Sequence, residues 1–224
     1  MKYVVRKSKR NPSLNGNWDE PAWRSADLIT LDNFMARSSA HRPRVEVKTL
    51  WRNEGLFVFF RVHDRYIRCL RTDYQANVCR DSCVEFFVEP KKGRGYFNFE
   101  ITCGGTMLLF YCDNPDRETG RIVVKDRVPR SLGETVRIYH SMPKVVYPEV
   151  EFEATWKVEY FIPFKLFEHY LGSLGKIGGQ VWRANFYKCA DECSHPHWGS
   201  WAPLHGKASF HVPQYFAPLR FIGG

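Results

Sequence analysis

Apolar and polar residues alternate over several short stretches of the chain, most clearly in RDSCVEFFVEPKKGRGYFNFEI, residues 80–101. One alternating run starts at Val84 and another at Tyr96, with Pro90 and two glycines between them. A period of two is typical of half-buried strands, and the proline and glycines favour a turn. The stretch therefore predicts a β-hairpin. One face is apolar and faces a core, and the other carries carboxylates, an amide and aromatic rings.

The same alternation predicts strands elsewhere, at residues 44–51, 56–62, 106–112, 136–140, 156–162 and 181–189. Only residues 164–171 space their apolar side chains as a helix does, with Gly172 placed to end it. About nine or ten short strands separated by turns indicate an all-β fold, an antiparallel β-sandwich or barrel with one short helix. Because no linker or change of composition interrupts the pattern, we expect residues 1–224 to form a single domain.

Two further segments have a structural interpretation. Asp113 to Gly120 is a succession of charged and turn-forming residues and predicts an exposed loop. Trp18 and Trp23 flank Pro21, and their large rings are expected to plug one end of the core.

Composition narrows the classes of partner. The formal net charge is +9, but the basic residues are scattered and no nucleic-acid-binding motif accompanies them, so we expect no nucleic-acid partner. No apolar run reaches the ~20 residues that span a bilayer. The N-terminus lacks the apolar core of a signal peptide, which favours the cytoplasm. Export stays open, since a Met added after removal of a signal would look the same.

The cysteines also favour a reducing compartment. Their number, seven, is odd, so they cannot all pair within one chain, and several fall inside strand patterns as buried free thiols do. We therefore expect mostly reduced cysteines. Cys189, Cys193, His195 and His197 have spacings that zinc could use, but CxxxC followed by HxH is not a standard finger, so the metal content stays unknown.

Taken together, the segments resemble the family 9 carbohydrate-binding modules, which occur attached to xylanases and as stand-alone relatives. The matching pieces follow the family's order across nearly the whole chain. They are Trp18…Pro21…Trp23, VKTLWRNEGLFVFFRVHD, RDSCVEFFVEP, YFNFEI, WKVEYFIPF, WRANFYK and SFHVPQYFAPLRF.

The resemblance implies a jelly-roll β-sandwich that binds carbohydrate and is not itself catalytic. It also implies a plant-type polysaccharide such as xylan as the ligand, and a glycoside hydrolase of polysaccharide breakdown as an associated partner. Calcium is the one cofactor it suggests. Sugar-binding members clamp a terminal sugar between two tryptophans. Those positions fall here near Val78 or Cys79 and near Phe210 or His211, so this clamp is absent.

A polar groove is nevertheless predicted on the second face of the hairpin and on the strand at 181–189. Carboxylates and amides exchange hydrogen bonds with sugar hydroxyls, and aromatic rings pack on the C–H faces of sugars. In the resemblance, Glu85 is the family's carboxylate. The predicted ligand-binding residues are Glu85, Asn98, Glu100, Arg183, Asn185, Tyr187, Trp198 and Trp201.

Four alternatives remain open at this point. Arg183 could form a structural ion pair with one of the glutamates, and the tryptophans could close the edge of the core. Glu85 and Glu100 could be the paired carboxylates of a glycoside hydrolase, which lie about 5–10 Å apart. The fold could also serve a protein-interaction role.

Overall fold

The computed structural model describes residues 1–113 and 126–223. The two α-helices within them are α1 (Arg130–Gly133) and α2 (Phe164–Leu171), and 3-10 turns lie at Trp23–Ser25, Val78–Arg80 and Pro213–Tyr215. From residue 114 onward, the predicted loop at 113–120 lies outside the described residues. The strands are β1 (Tyr3–Lys7), β2 (Ile29–Thr30), β3 (Asn33–Phe34), β4 (Arg44–Arg52), β5 (Gly55–Asp64), β6 (Ile67–Cys69), β7 (Cys83–Glu89), β8 (Tyr96–Thr102), β9 (Met107–Cys112), β10 (Asp126–Arg127), β11 (Arg137–His140), β12 (Val146–Val150), β13 (Ala154–Pro163), β14 (Val181–Ala190), β15 (His197–Ser200) and β16 (Ala217–Ile222).

Most of these strands follow one hydrogen-bonded path, in the order β10-β9-β8-β7-β14-β16-β1-β4-β5-β13-β11. The mostly-β fold is therefore confirmed, and the predicted hairpin forms as β7 and β8. Two details differ from the prediction. β1 pairs in parallel with both β16 and β4, whereas all the other neighbouring strands along the path pair antiparallel. The one-turn helix α1, which begins directly after Pro129, accompanies the predicted α2.

The sheet curls so that its two halves face each other across a common core. Phe60 on β5 lies 6.0 Å from Phe186 on β14, measured between ring centroids, and Phe186 lies 4.9 Å from Phe86 on β7. None of these three rings is exposed to solvent. Alternation along each strand thus directs one set of aromatic rings to the same interior from both halves.

Apolar side chains also lie on the outer face of this sheet, where other segments of the chain cover them. Trp18 and Trp23 pack on Phe59, with ring centroids 4.9 and 5.4 Å away. Trp23 Nε1 donates to Glu159 Oε1 at 2.9 Å, which satisfies a buried carboxylate. The prediction that these tryptophans plug one end of the core is wrong. They cover the outer face of β5, because the outward-pointing Phe59 needs shielding from water.

The ammonium group of Lys188 is fully buried between the two halves of the sheet. Its Nζ donates to the carbonyl oxygen of Cys189 and to Nε2 of His197, at 2.9 and 2.8 Å, and lies 3.6 Å from Asp64 Oδ2. Asp64 also accepts from Trp156 Nε1 at 3.2 Å. A buried charge is costly unless it is paired and hydrogen-bonded, and here it is both.

In the described part of the chain, no helix is long and apolar enough to cross a membrane.

His197 in this network makes stability depend on pH. Burial, and then Lys188, lower the pKa of His197 to about 3, whereas an unfolded histidine titrates near 6.5. Between these values the unfolded chain binds a proton that the folded chain does not. The free energy of unfolding therefore falls as the pH falls, by up to about 1.4 kcal/mol per pH unit.

We expect His197→Gln to remove this contribution, since glutamine does not titrate. Denaturant unfolding from neutral pH to about pH 5 should give a shallower slope for the variant than for wild type. The exposed His169→Gln serves as the matched control and should keep the wild-type slope. Equal slopes for wild type and His197→Gln would contradict the assignment.

Candidate functional site

Strand register brings the predicted polar residues together on the outer face of β7, β8 and β14. Glu85 on β7 lies directly opposite Glu100 on β8 and, on its other side, opposite Tyr187 on β14. Sequence alternation predicted the face on which each side chain lies. The register, which joins distant parts of the chain, is supplied by the structure.

Much of this face is buried beneath residues 203–216, here called the C-terminal cover. The ring of Phe210 stacks on Tyr187 with centroids 4.1 Å apart. Arg183 donates to the carbonyl oxygens of Gln214 and Phe216, at 3.1 and 2.6 Å. The open groove expected from the sequence is thereby reduced to what the cover leaves accessible. The cover has no alternating pattern, so no periodic signal in the sequence could have found it.

The predicted amides and Tyr187 make their hydrogen bonds within the chain. Asn98 donates to Glu100 Oε1 at 2.7 Å and accepts from the backbone N–H of Phe110 at 2.9 Å. Asn185 donates to the carbonyl oxygen of Ala202 and accepts from the same residue's N–H. Tyr187 donates to the carbonyl oxygen of Phe210. These three side chains are fully buried, so they support the site from beneath.

Trp201 lies on the opposite side of the sheet from the predicted groove. Its ring is 5.8 Å from Phe186 and 6.3 Å from Tyr3, within the main core. The prediction that it walls the groove is corrected on this point. The alternative, that a tryptophan of this loop closes the core, describes Trp201.

Three predicted residues, Glu85, Glu100 and Trp198, do meet around one pocket of about 200 Å³, here called the Trp198 pocket. It opens between the C-terminal cover and the loop that follows β3. Its other lining residues are Met35, Arg37, Cys79, Cys189, Asp191, Ala208, Ser209, Phe210 and His211.

This pocket contains positions to which the resemblance assigned the missing tryptophans. Cys79 lies at one and Phe210 and His211 at the other, so the location matches while the side chains differ. An indole comes instead from Trp198, which is half-buried. Its Nε1 donates to Asp191 Oδ1 at 2.7 Å, which fixes the ring, and the Arg37 guanidinium lies 4.2 Å from the ring centroid. Arg37 and Asp191 were not predicted, because they lie on loops without a pattern.

Buried acidic groups with shifted pKa values lie at the floor of the pocket. Burial, and then the neighbouring Glu100, raise the pKa of Glu85 well above its ordinary range. Its Oε1 accepts a hydrogen bond from the Cys189 thiol at 3.0 Å. Burial likewise raises the pKa of Cys83 to about 12. The raised pKa of Glu85 favours its protonated form, and a protonated carboxyl group can both donate and accept hydrogen bonds.

The zinc ligands considered from the sequence do not converge. His197 has one ring nitrogen 2.8 Å from Lys188 Nζ and the other 2.9 Å from the carbonyl oxygen of His195. Cys193 donates to the carbonyl oxygen of Ala190. The ring of His195 stacks on Tyr66 at 3.6 Å.

Comparison with known proteins identifies the family of the chain. The model of carbohydrate-binding family 9 matches residues 23–221. The chain therefore belongs to carbohydrate-binding family 9. A comparison with curated proteins returned no match.

Solved structures share the fold over almost the whole chain. A protein from Bacteroides uniformis ATCC 8492, described as a candidate carbohydrate-binding protein, is similar with a TM-score of 0.85, 24% identity and coverage of 99% of both chains. A family 9 module from Caldicellulosiruptor kristjanssonii in complex with cellotriose has a TM-score of 0.67 and 12% identity, covering 100% of this chain and 95% of the module. A family 9 module from Caldicellulosiruptor kristjanssonii in complex with glucose has a TM-score of 0.62 and 12% identity, covering 99% of this chain and 96% of the module.

The protonation of Glu85 can be tested directly by infrared spectroscopy. Wild-type protein at neutral pH should show a protonated-carboxyl band that is lost in Glu85→Gln, because the pKa of the buried acid is raised. The exposed Glu151→Gln should leave the band unchanged. Identical spectra for wild type and Glu85→Gln would show that Glu85 is ionised.

Proposed function

We propose that this protein binds the terminal sugar of a plant-type oligosaccharide, a gluco- or xylo-oligosaccharide, in the Trp198 pocket. The observation that carries the proposal is the meeting of Glu85, Glu100 and a fixed indole at the place to which the family resemblance assigns sugar contacts. The complexes of related modules with cellotriose and glucose support the ligand class.

The size of the pocket favours one sugar ring. At about 200 Å³ it is below the range of about 300–1,000 Å³ that encloses drug-sized ligands. A wider cleft of about 540 Å³ adjoins it and shares Met35, Arg37 and Ala208 with it. The terminal sugar would enter the pocket, and the next sugars would lie along this cleft.

The side chains suit hydroxyl recognition. The indole of Trp198 offers an aromatic surface to the C–H face of a sugar, and the Asp191 hydrogen bond holds it in place. Glu100 and Glu85 supply acceptors at the floor, and the protonated form of Glu85, which its raised pKa favours, adds a donor. Arg37, at the rim, adds guanidinium donors.

The test is calorimetry with cellotriose, xylotriose and glucose. Wild type should bind at least one of them. Trp198→Ala should bind roughly 10–100-fold more weakly, because truncating a central tryptophan typically costs 2 kcal/mol or more. Glu100→Gln should weaken binding by a similar factor, through loss of a charged hydrogen bond of about 1.5–3 kcal/mol.

The matched control is Phe152→Ala, an exposed aromatic residue outside the pocket, which should bind as wild type does. Each variant should first be shown to melt near the wild-type temperature. If wild type binds none of these sugars and nothing on a broad glycan array, the proposed function is wrong. Undiminished binding by both pocket variants would place the site elsewhere.

A further inference from the structure

Three buried donor atoms converge beneath the Trp198 pocket. The sulfurs of Cys83 and Cys189 and a carboxylate oxygen of Glu85 all lie within 4.8 Å of one another. Cys83 pairs directly with Cys189 across β7 and β14, and Glu85 follows two positions later on the same face of β7. The register of two central strands therefore fixes all three donors, with no contribution from a loop.

The donors match one class of ion. Two sulfurs and one carboxylate are typical of zinc-class divalent cations, which bind thiolate at about 2.3 Å and carboxylate oxygen at about 2.0–2.2 Å in a tetrahedron. A tetrahedral ion with such bonds keeps its donors about 3–4 Å apart, within the spread seen here. Calcium, suggested by the family resemblance, takes six to eight oxygen ligands and does not fit this sulfur-rich set.

The pocket reaches two of the three donor residues. Glu85 and Cys189 line the pocket, so an ion can reach them from its mouth. A water molecule or a sugar hydroxyl in the pocket would supply the fourth ligand from the side of Glu85 and Cys189. Two thiolates and one carboxylate carry a charge of −3, which a divalent ion reduces to −1. The buried ammonium of Lys188 lies on the inner side of β14 and donates a hydrogen bond to the carbonyl oxygen of Cys189.

We propose that Cys83, Glu85 and Cys189 form a binding site for a thiophilic divalent cation of the zinc class, with its fourth position open to the Trp198 pocket. The ion replaces the protons of two thiols and one carboxylic acid, and the three protons leave to solvent. No oxidation or reduction takes place. The site does not depend on the proposed sugar binding, although an ion there would convert Glu85 from a hydrogen-bond donor into a metal ligand.

The experiment uses Co²⁺ as a spectroscopic substitute for zinc, added to the full-length, reduced, metal-free protein without sugar. We expect a thiolate-to-cobalt charge-transfer band and tetrahedral d–d bands that saturate at one equivalent and are removed by Zn²⁺. Cys83→Ser and Cys189→Ser should each lose the charge-transfer band or shift saturation beyond stoichiometric cobalt. Glu85→Gln should weaken cobalt binding by at least about tenfold, since it replaces a charged ligand with a neutral amide.

Cys193→Ser is the matched control, because it alters another buried cysteine outside this set, and it should keep the wild-type spectrum. Near-ultraviolet circular dichroism checks that each variant is folded, and an unfolded serine variant is replaced by alanine at the same position. No charge-transfer band in wild type overturns the proposal. So does a band that survives in both Cys83→Ser and Cys189→Ser, or one that depends on Cys193. Because no sugar is present, a failure here is distinct from a failure of the proposed function.

Discussion

The antiparallel pairing of β7 with β14 is the constraint on which both the core and the candidate site depend. On its inner side it sets Phe86 against Phe186, which in turn contacts Phe60 on the opposite half of the sheet. On its outer side it sets Glu85 beside Tyr187 and Cys83 beside Cys189. Because side chains alternate with a period of two, a slip of one residue would exchange these two sets and would bury carboxylates in the aromatic core.

The polar side chains on the outer face of β7 and β14 lie beneath the C-terminal cover. The C-terminal cover packs Phe210 and Phe216 over the outer face, and buried polar groups must then find partners within the chain. Asn185 and Arg183 do so through backbone carbonyl oxygens. What stays accessible is a small pocket at the edge of the cover, where Trp198 is fixed by Asp191. The same burial that narrows the site raises the pKa of Glu85 and of Cys83. The pKa of Cys189 is raised by its hydrogen bond with Cys83 and then by burial.

Local patterns predicted what depends on local sequence. Alternation located β7 and β8 and separated their two faces, and the spacing of apolar residues gave α2 with the bounds observed and Gly172 at its end. The parallel pairing of β1 with β16 joins the two ends of the chain and has no local signal. Trp198 lies on β15 and Trp201 directly follows that strand, yet one borders the pocket and the other enters the core. The convergence of Cys83 with Cys189 likewise depends on register, which only the folded sheet defines.

Besides the Trp198 pocket, a second cleft could hold the sugar. A larger cleft of about 850 Å³ lies elsewhere, bordered by His41, His63, Tyr66 and His195. Titrating isotope-labelled protein with cellotriose and following the backbone and indole N–H resonances would distinguish the two. If the sugar binds in the Trp198 pocket, the shifts will cluster at Trp198, Cys79 and His211. Shifts that cluster instead at His41 and Tyr66, with Trp198 unmoved, would contradict binding in the Trp198 pocket.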